Sequence, residues 1–62
     1  MSTYRVVTVA KTVYVHNVKR VYVDDLDFTQ KEEPFRQLVF QRDGSPDTRF
    51  PLANVVSYEV TQ

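Results

Sequence analysis

Valine alternates with tyrosine or a polar residue through much of the N-terminal part of the chain. Val13-Tyr14-Val15 recurs eight positions later as Val21-Tyr22-Val23. In an extended backbone successive side chains point to opposite faces, so each copy sends its valines one way and its tyrosine the other. His16, Asn17, Val18, Lys19 and Arg20 separate the copies. They either turn the chain back, making the copies paired arms of a hairpin, or continue one long, bent strand. Both readings give β-structure with two unlike faces. Upstream, Tyr4 to Val9 is rich in β-branched and aromatic residues and predicts a first strand, with Ala10-Lys11-Thr12 as the connection. Asp24-Asp25 closes the valine-tyrosine region, because consecutive aspartates initiate turns.

Downstream, Leu26 to Pro34 predicts a loop or one irregular turn. Leu26 and Phe28 drop inward there, and Thr29 with Glu32 caps a single helical turn. Pro34 prevents a longer helix by pushing Glu33 toward extended geometry. Phe35 to Arg42 reads as a strand with Leu38 and Phe40 inward and Val39 and Gln41 outward. Asp43-Gly44-Ser45-Pro46-Asp47 is a strong turn signal. Thr48-Arg49-Phe50 then returns antiparallel, Pro51 interrupts the ladder, Leu52-Ala53-Asn54 makes one tight helical turn, and Val55 to Val60 forms the last strand. Short strands joined by tight turns, with no helical period, predict one all-β domain over residues 1–62, a small five-stranded barrel or a curled antiparallel sheet. The expected core is Val7, Val9, Val13, Val15, Val21, Val23, Leu38, Phe40, Phe50, Leu52, Val56, Tyr58 and Val60.

The segment Arg49-Phe50-Pro51-Leu52-Ala53-Asn54-Val55-Val56 resembles the closing segment of SH3-like barrels: an aromatic-proline strand end, one helical turn carrying an asparagine, and a valine-led final strand. The resemblance implies an SH3-like barrel. It does not extend to proline-rich ligands, since the chain has no tryptophan and lacks the aromatic opening segment with which SH3 domains hold such peptides. Sm-like barrels, which assemble into rings, fit the same strand count.

Composition narrows the function classes. The chain has 62 residues and no cysteine, so disulfides, iron–sulfur clusters and thiolate zinc sites are excluded. A single histidine, His16, excludes any site built on two. No apolar run is long enough for a membrane span, and the N-terminus carries no apolar signal region, which predicts a cytoplasmic protein. A domain this small buries only about 60% of the surface its unfolded chain exposes, so a homo-oligomer is expected. Net charge is zero but uneven: Arg5, Lys11, Lys19 and Arg20 give residues 1–23 a charge of +4, while Asp24, Asp25, Asp27, Glu32 and Glu33 against Lys31 give residues 24–33 a charge of −4. These blocks either form two faces of opposite sign or neutralise each other.

No nucleophile–base–orienter set and no glycine-rich phosphate cradle is present, and Asp24, Asp25 and Asp27 read as a solvated acidic turn. The expectation is a protein with no catalytic residues, no metal and no cofactor. What remains is the face opposite the valine row. Tyr4, Tyr14, His16, Arg20 and Tyr22 share one parity in an unbroken strand, with Lys19 and Lys11 at its rim. Tyrosine beside cations suits a protein partner or a subunit interface, and alternatively a nucleotide or nucleic acid stacked on the rings with phosphate on Arg and Lys. The zero net charge weighs against tight, sequence-independent nucleic-acid binding. The combined expectation is a non-enzymatic interaction module that self-associates and engages a protein partner through this face or an edge strand. Free-standing genes of this length are frequent in phages and mobile elements, which adds the expectation of an inhibitor or adaptor acting on a host system.

Overall fold

The computed structural model describes residues 1–26 and 35–62. The expected turn between Leu26 and Pro34, with Phe28, Thr29 and Glu32, lies outside the described residues. The strands are β1 (Ser2–Thr8), β2 (Thr12–Leu26), β3 (Phe35–Arg42), β4 (Thr48–Pro51) and β5 (Val55–Val60), with one 3₁₀ turn, Leu52–Asn54, between β4 and β5. They form a single antiparallel sheet in the order β4-β3-β2-β1-β5. The fold is all-β, and the sheet stays open with β4 and β5 as its edges, so the barrel alternative is not realised. Among the described residues no helix is long and apolar enough to cross a membrane.

The first turn sets the phase of β1. The Thr8 hydroxyl accepts hydrogen bonds from the Ala10 and Lys11 N–H groups, at 3.2 and 3.0 Å, and the Thr8 N–H donates to the Lys11 carbonyl at 2.8 Å. Threonine hydroxyls stabilise such local turns. Val9 and Ala10 are therefore the hairpin tip. Val6 falls opposite Val13, and Tyr4 opposite Val15. A turn placed at Ala10-Lys11-Thr12 instead pairs Val9 with Val13. The two registers differ by three residues, an odd number, so every β1 side chain changes face. This explains why Tyr4 and Val6 line the core, while Val7 faces out and Val9 stands at the tip, 70% exposed.

β2 is one bent strand of 15 residues rather than a hairpin. Its first half pairs with β1 and its second with β3, and Val18 is the one residue in both ladders. Register shifts flank Val18 on both sides: one near Asn17, where Ser2 pairs with Val18 but Tyr4 with Val15, and one at Lys19. A bulge adds an unpaired residue, bends the strand and raises its twist. Asn17 has φ 59°, the left-handed conformation that asparagine tolerates better than most residues. The carbonyls freed by the first bulge are taken by the end of β3. Arg42 Nε donates to the His16 carbonyl at 3.0 Å, and the Asp43 N–H to the Asn17 carbonyl at 2.9 Å.

The bend curls the sheet around Phe40. In a flat sheet, strands β3 and β5, three steps apart, would lie roughly 14 Å from each other at about 4.8 Å per step. Yet the Phe40 and Tyr58 rings stand 5.9 Å apart, edge to face, and Phe40 and Tyr4 are 5.5 Å apart. Phe50 on β4 adds a third ring at 5.8 Å. Val6, Val15, Val18, Leu38 and Phe40 are buried together, with Tyr4, Val13, Val21, Phe50, Leu52 and Val55 packed against them.

Several expected core residues are not core. Val23, Val56, Tyr58 and Val60, like Val9, are substantially exposed. Val23 and the β5 residues lie toward the limits of the sheet, where too few strands face them. Conversely Val6, Val18 and Val39 are buried and were not expected to be. Asp24 and Asp25 do not end β2, which runs on to Leu26 opposite Phe35.

Phe40→Ala is expected to cost about 3–5 kcal/mol, as much as the whole stability of a domain this small. Circular dichroism at 25 °C should then show an unfolded chain, whereas Val9→Ala should shift stability by less than about 0.5 kcal/mol. At the bulge, Asn17→Gly should leave the urea midpoint nearly unchanged, and Asn17→Val should lower stability by about 1–2 kcal/mol. Equal tolerance of both would contradict the left-handed backbone at this position.

Candidate outer-face binding site

The face opposite Phe40 carries most of the aromatic and basic residues singled out from sequence, but not as one continuous row. Tyr4 does not belong to it. Its ring lies on the inner face, 5.5 Å from Phe40 and 6.3 Å from Tyr58, because the two bulges and the Thr8 turn break the parity that an unbroken strand would keep.

The remaining residues divide at the Val18 bend. On the half of β2 paired with β1, Tyr14 is exposed and lies opposite Arg5. His16 is exposed next to it, with Nδ1 3.2 Å from the Thr3 hydroxyl. On the half paired with β3, the Arg20 guanidinium stacks over the Tyr22 ring, 4.8 Å from its centroid. Lys19 sits in the second bulge, exposed between the halves. The structure thus brings Arg20 and Tyr22 together and places Tyr14 and His16 in a separate group.

Two arginines on this face come from other strands. Arg5 donates from Nη2 to Glu59 Oε2 at 2.6 Å, joining β1 to β5. From β4, Arg49 reaches across β3, its Nη1 donating to Gln37 Oε1 at 3.1 Å and to Asp24 Oδ2 on β2 at 3.2 Å. Val39, between its register partners Tyr22 and Arg49, is fully buried although it lies on the outer face. Among the described residues, the ion pairs of this face join each charge block to a residue outside both blocks. Asp24 of the acidic block is held by Arg49, and Arg5 of the basic block by Glu59. Neither ion pair is legible from local sequence, since partners 25 and 54 positions apart meet only once the register is set.

Among the described residues, Lys19 and Arg20 are cations of the outer face with no carboxylate partner. Because the sheet curls toward Phe40, the outer face is convex, and the described residues enclose no cavity. Small ligands are held mainly in concave sites that cover most of their surface. A convex face with exposed tyrosine and arginine offers instead a broad contact surface. Compared with protein-family models, curated proteins and solved structures, the chain matches none.

The Arg49–Asp24 pair is partly exposed, with side chains 41% and 32% accessible, and such pairs contribute little. A double-mutant cycle with Arg49→Gln and Asp24→Asn, followed by urea unfolding, should give a coupling below about 1 kcal/mol that shrinks at high salt. A larger, salt-insensitive coupling would contradict the solvated character of this face.

Proposed function

We propose that this chain is a non-enzymatic interaction module that presents its convex outer face to an acidic segment of a protein partner. Arg20 and Tyr22 form the centre of the contact, with Lys19 beside them, while Tyr14 and His16 form the separate patch on the β1 half. The observation that carries this reading is the Arg20 guanidinium stacked on the Tyr22 ring. A stacked arginine is already ordered before a partner arrives, which reduces the entropy lost on binding, and arginine and tyrosine are enriched among residues that dominate protein interfaces. Charge sets the sign of the partner. Arg5 and Arg49 are met by Glu59 and Asp24, so the charge available on this face is cationic and local.

We also read the open sheet as an SH3-like meander. A strand ending at Pro51, one 3₁₀ turn and a final strand starting at Val55 support that reading.

Nucleotide or nucleic-acid binding draws on the same side chains but is less well supported. One face of the Tyr22 ring is already covered by Arg20, and two cations neutralise few phosphates. Fluorescence anisotropy distinguishes the two readings, using a labelled glutamate- and aspartate-rich peptide and a labelled single-stranded oligonucleotide. The peptide should bind, and both Arg20→Ala and Tyr22→Ala should weaken it by about tenfold, equivalent to 1.4 kcal/mol. Tighter oligonucleotide binding with a steep salt dependence would replace this reading with the nucleic-acid one. Failure of both probes to bind would overturn it.

A further inference from the structure

The β5 edge carries an inference independent of the outer face. Among the described residues, β5 has a partner, β1, on one side and none on the other. The Thr61 N–H donates to the Thr3 carbonyl at 2.8 Å, and the antiparallel register continues through Arg5↔Glu59 and Val7↔Ser57 before it shifts at Val56, with Thr8 opposite Val55. Hydrogen-bonded pairs alternate with non-bonded ones in such a ladder, so Thr61, Glu59 and Ser57 direct their backbone groups at β1. Val60 and Tyr58 direct theirs outward, unpaired. Their side chains, with Val56, are also open to solvent: Val56 is 64% exposed, Tyr58 46% and Val60 54%. An edge with both unpaired backbone groups and uncovered apolar side chains is a template for a further strand.

We infer that this strand is β5 of a second copy, paired antiparallel about a twofold axis at Tyr58. The sequence of β5 is complementary to itself in that register. Tyr58 meets its own equivalent, Val60 of each copy lies opposite Val56 of the other, and Glu59 of each lies opposite Ser57 of the other. The Tyr58 pair lies on the inner face and extends the layer that already contains Tyr58 and Phe40. Each Glu59 keeps its own Arg5 at 2.6 Å, so no uncompensated charge enters the joint. Neighbouring registers are worse. A shift of two residues in one direction sets Glu59 against Glu59, and like charges directly opposite are destabilising. A shift of two in the other leaves Val60 opposite Asn54. A shift of one puts apolar against polar faces.

Sedimentation equilibrium on the full chain tests the pairing, and a cysteine variant tests the register. The unmodified protein should sediment as twice its 7.3 kDa at high concentration. Val60→Lys, which changes an exposed side chain and leaves the β1 ladder intact, should raise the dimer dissociation constant at least about tenfold, as charges at strand edges do. The chain has no cysteine, so a single introduced thiol reports one contact. Directly opposed hydrogen-bonded residues have Cα atoms about 5.5 Å apart, within reach of a disulfide. Oxidation of Tyr58→Cys should therefore cross-link two chains, while Ser57→Cys stays monomeric under the same conditions. A monomer at millimolar concentration, or a dimer indifferent to Val60→Lys, would overturn the inference. Cross-linking of Ser57→Cys as fast as Tyr58→Cys would overturn the register.

Discussion

Phe40 is where this small sheet becomes a folded domain. Fully buried, it meets Tyr4 from β1, Phe50 from β4 and Tyr58 from β5, with two of the three rings edge-on at 87° and 89°. Edge-to-face pairs at these separations contribute beyond simple burial, about 0.5–1.5 kcal/mol each. More important is the constraint they impose. Rings from strands up to three places apart can converge on one residue only if the sheet curls. The hydrophobic layer therefore exists because of the curl, and the curl is held by that layer.

The device that makes the curl possible lies in β2. A regular strand of 15 residues would pair along its whole length with both neighbours and give a flatter sheet. The bulges at Asn17 and Lys19 separate the two ladders instead, leaving Val18 as their shared point. The same bend divides the outer face. Tyr14 and His16 stay with β1, whereas Arg20 and Tyr22 go with β3, and an unbroken aromatic-basic stripe becomes two patches angled away from each other. Fold and surface chemistry are linked through one left-handed asparagine and one unpaired lysine.

Where local chemistry decides, the sequence is legible. The β3 strand, the glycine turn after it and the Pro51–Asn54–Val55 transition occur as their residue types dictate, and Leu38, Phe40, Phe50 and Leu52 pack inward as their alternation implies. Pairing is what local pattern cannot supply. The Thr8 hydroxyl sets the first turn at Val9-Ala10 and changes the register by an odd number of residues, which exchanges Val6 for Val7 and removes Tyr4 from the candidate site. The bulges bring Val18 inward against strict alternation. Val56, Tyr58 and Val60 have the pattern of a buried face, but whether such a face is buried depends on how many strands lie across from it. Of the six candidate residues, Arg20 and Tyr22 form a direct pair. Lys19 and His16 keep exposed positions whose neighbours only the tertiary register reveals.

The two edges of the sheet are not alike. β4 has four residues and ends in Pro51, which has no N–H to offer, and its Arg49 side chain is drawn back across the sheet to Asp24. Proline and charge are common devices for blunting an edge. β5 is longer and carries neither device on its outward-facing positions. Open-ended growth, as in a fibril, requires every unit to offer two competent edges so that each addition exposes another. A unit with one blunted edge caps whatever it joins, so an assembly made through β5 would be finite and symmetric by construction rather than the start of a filament.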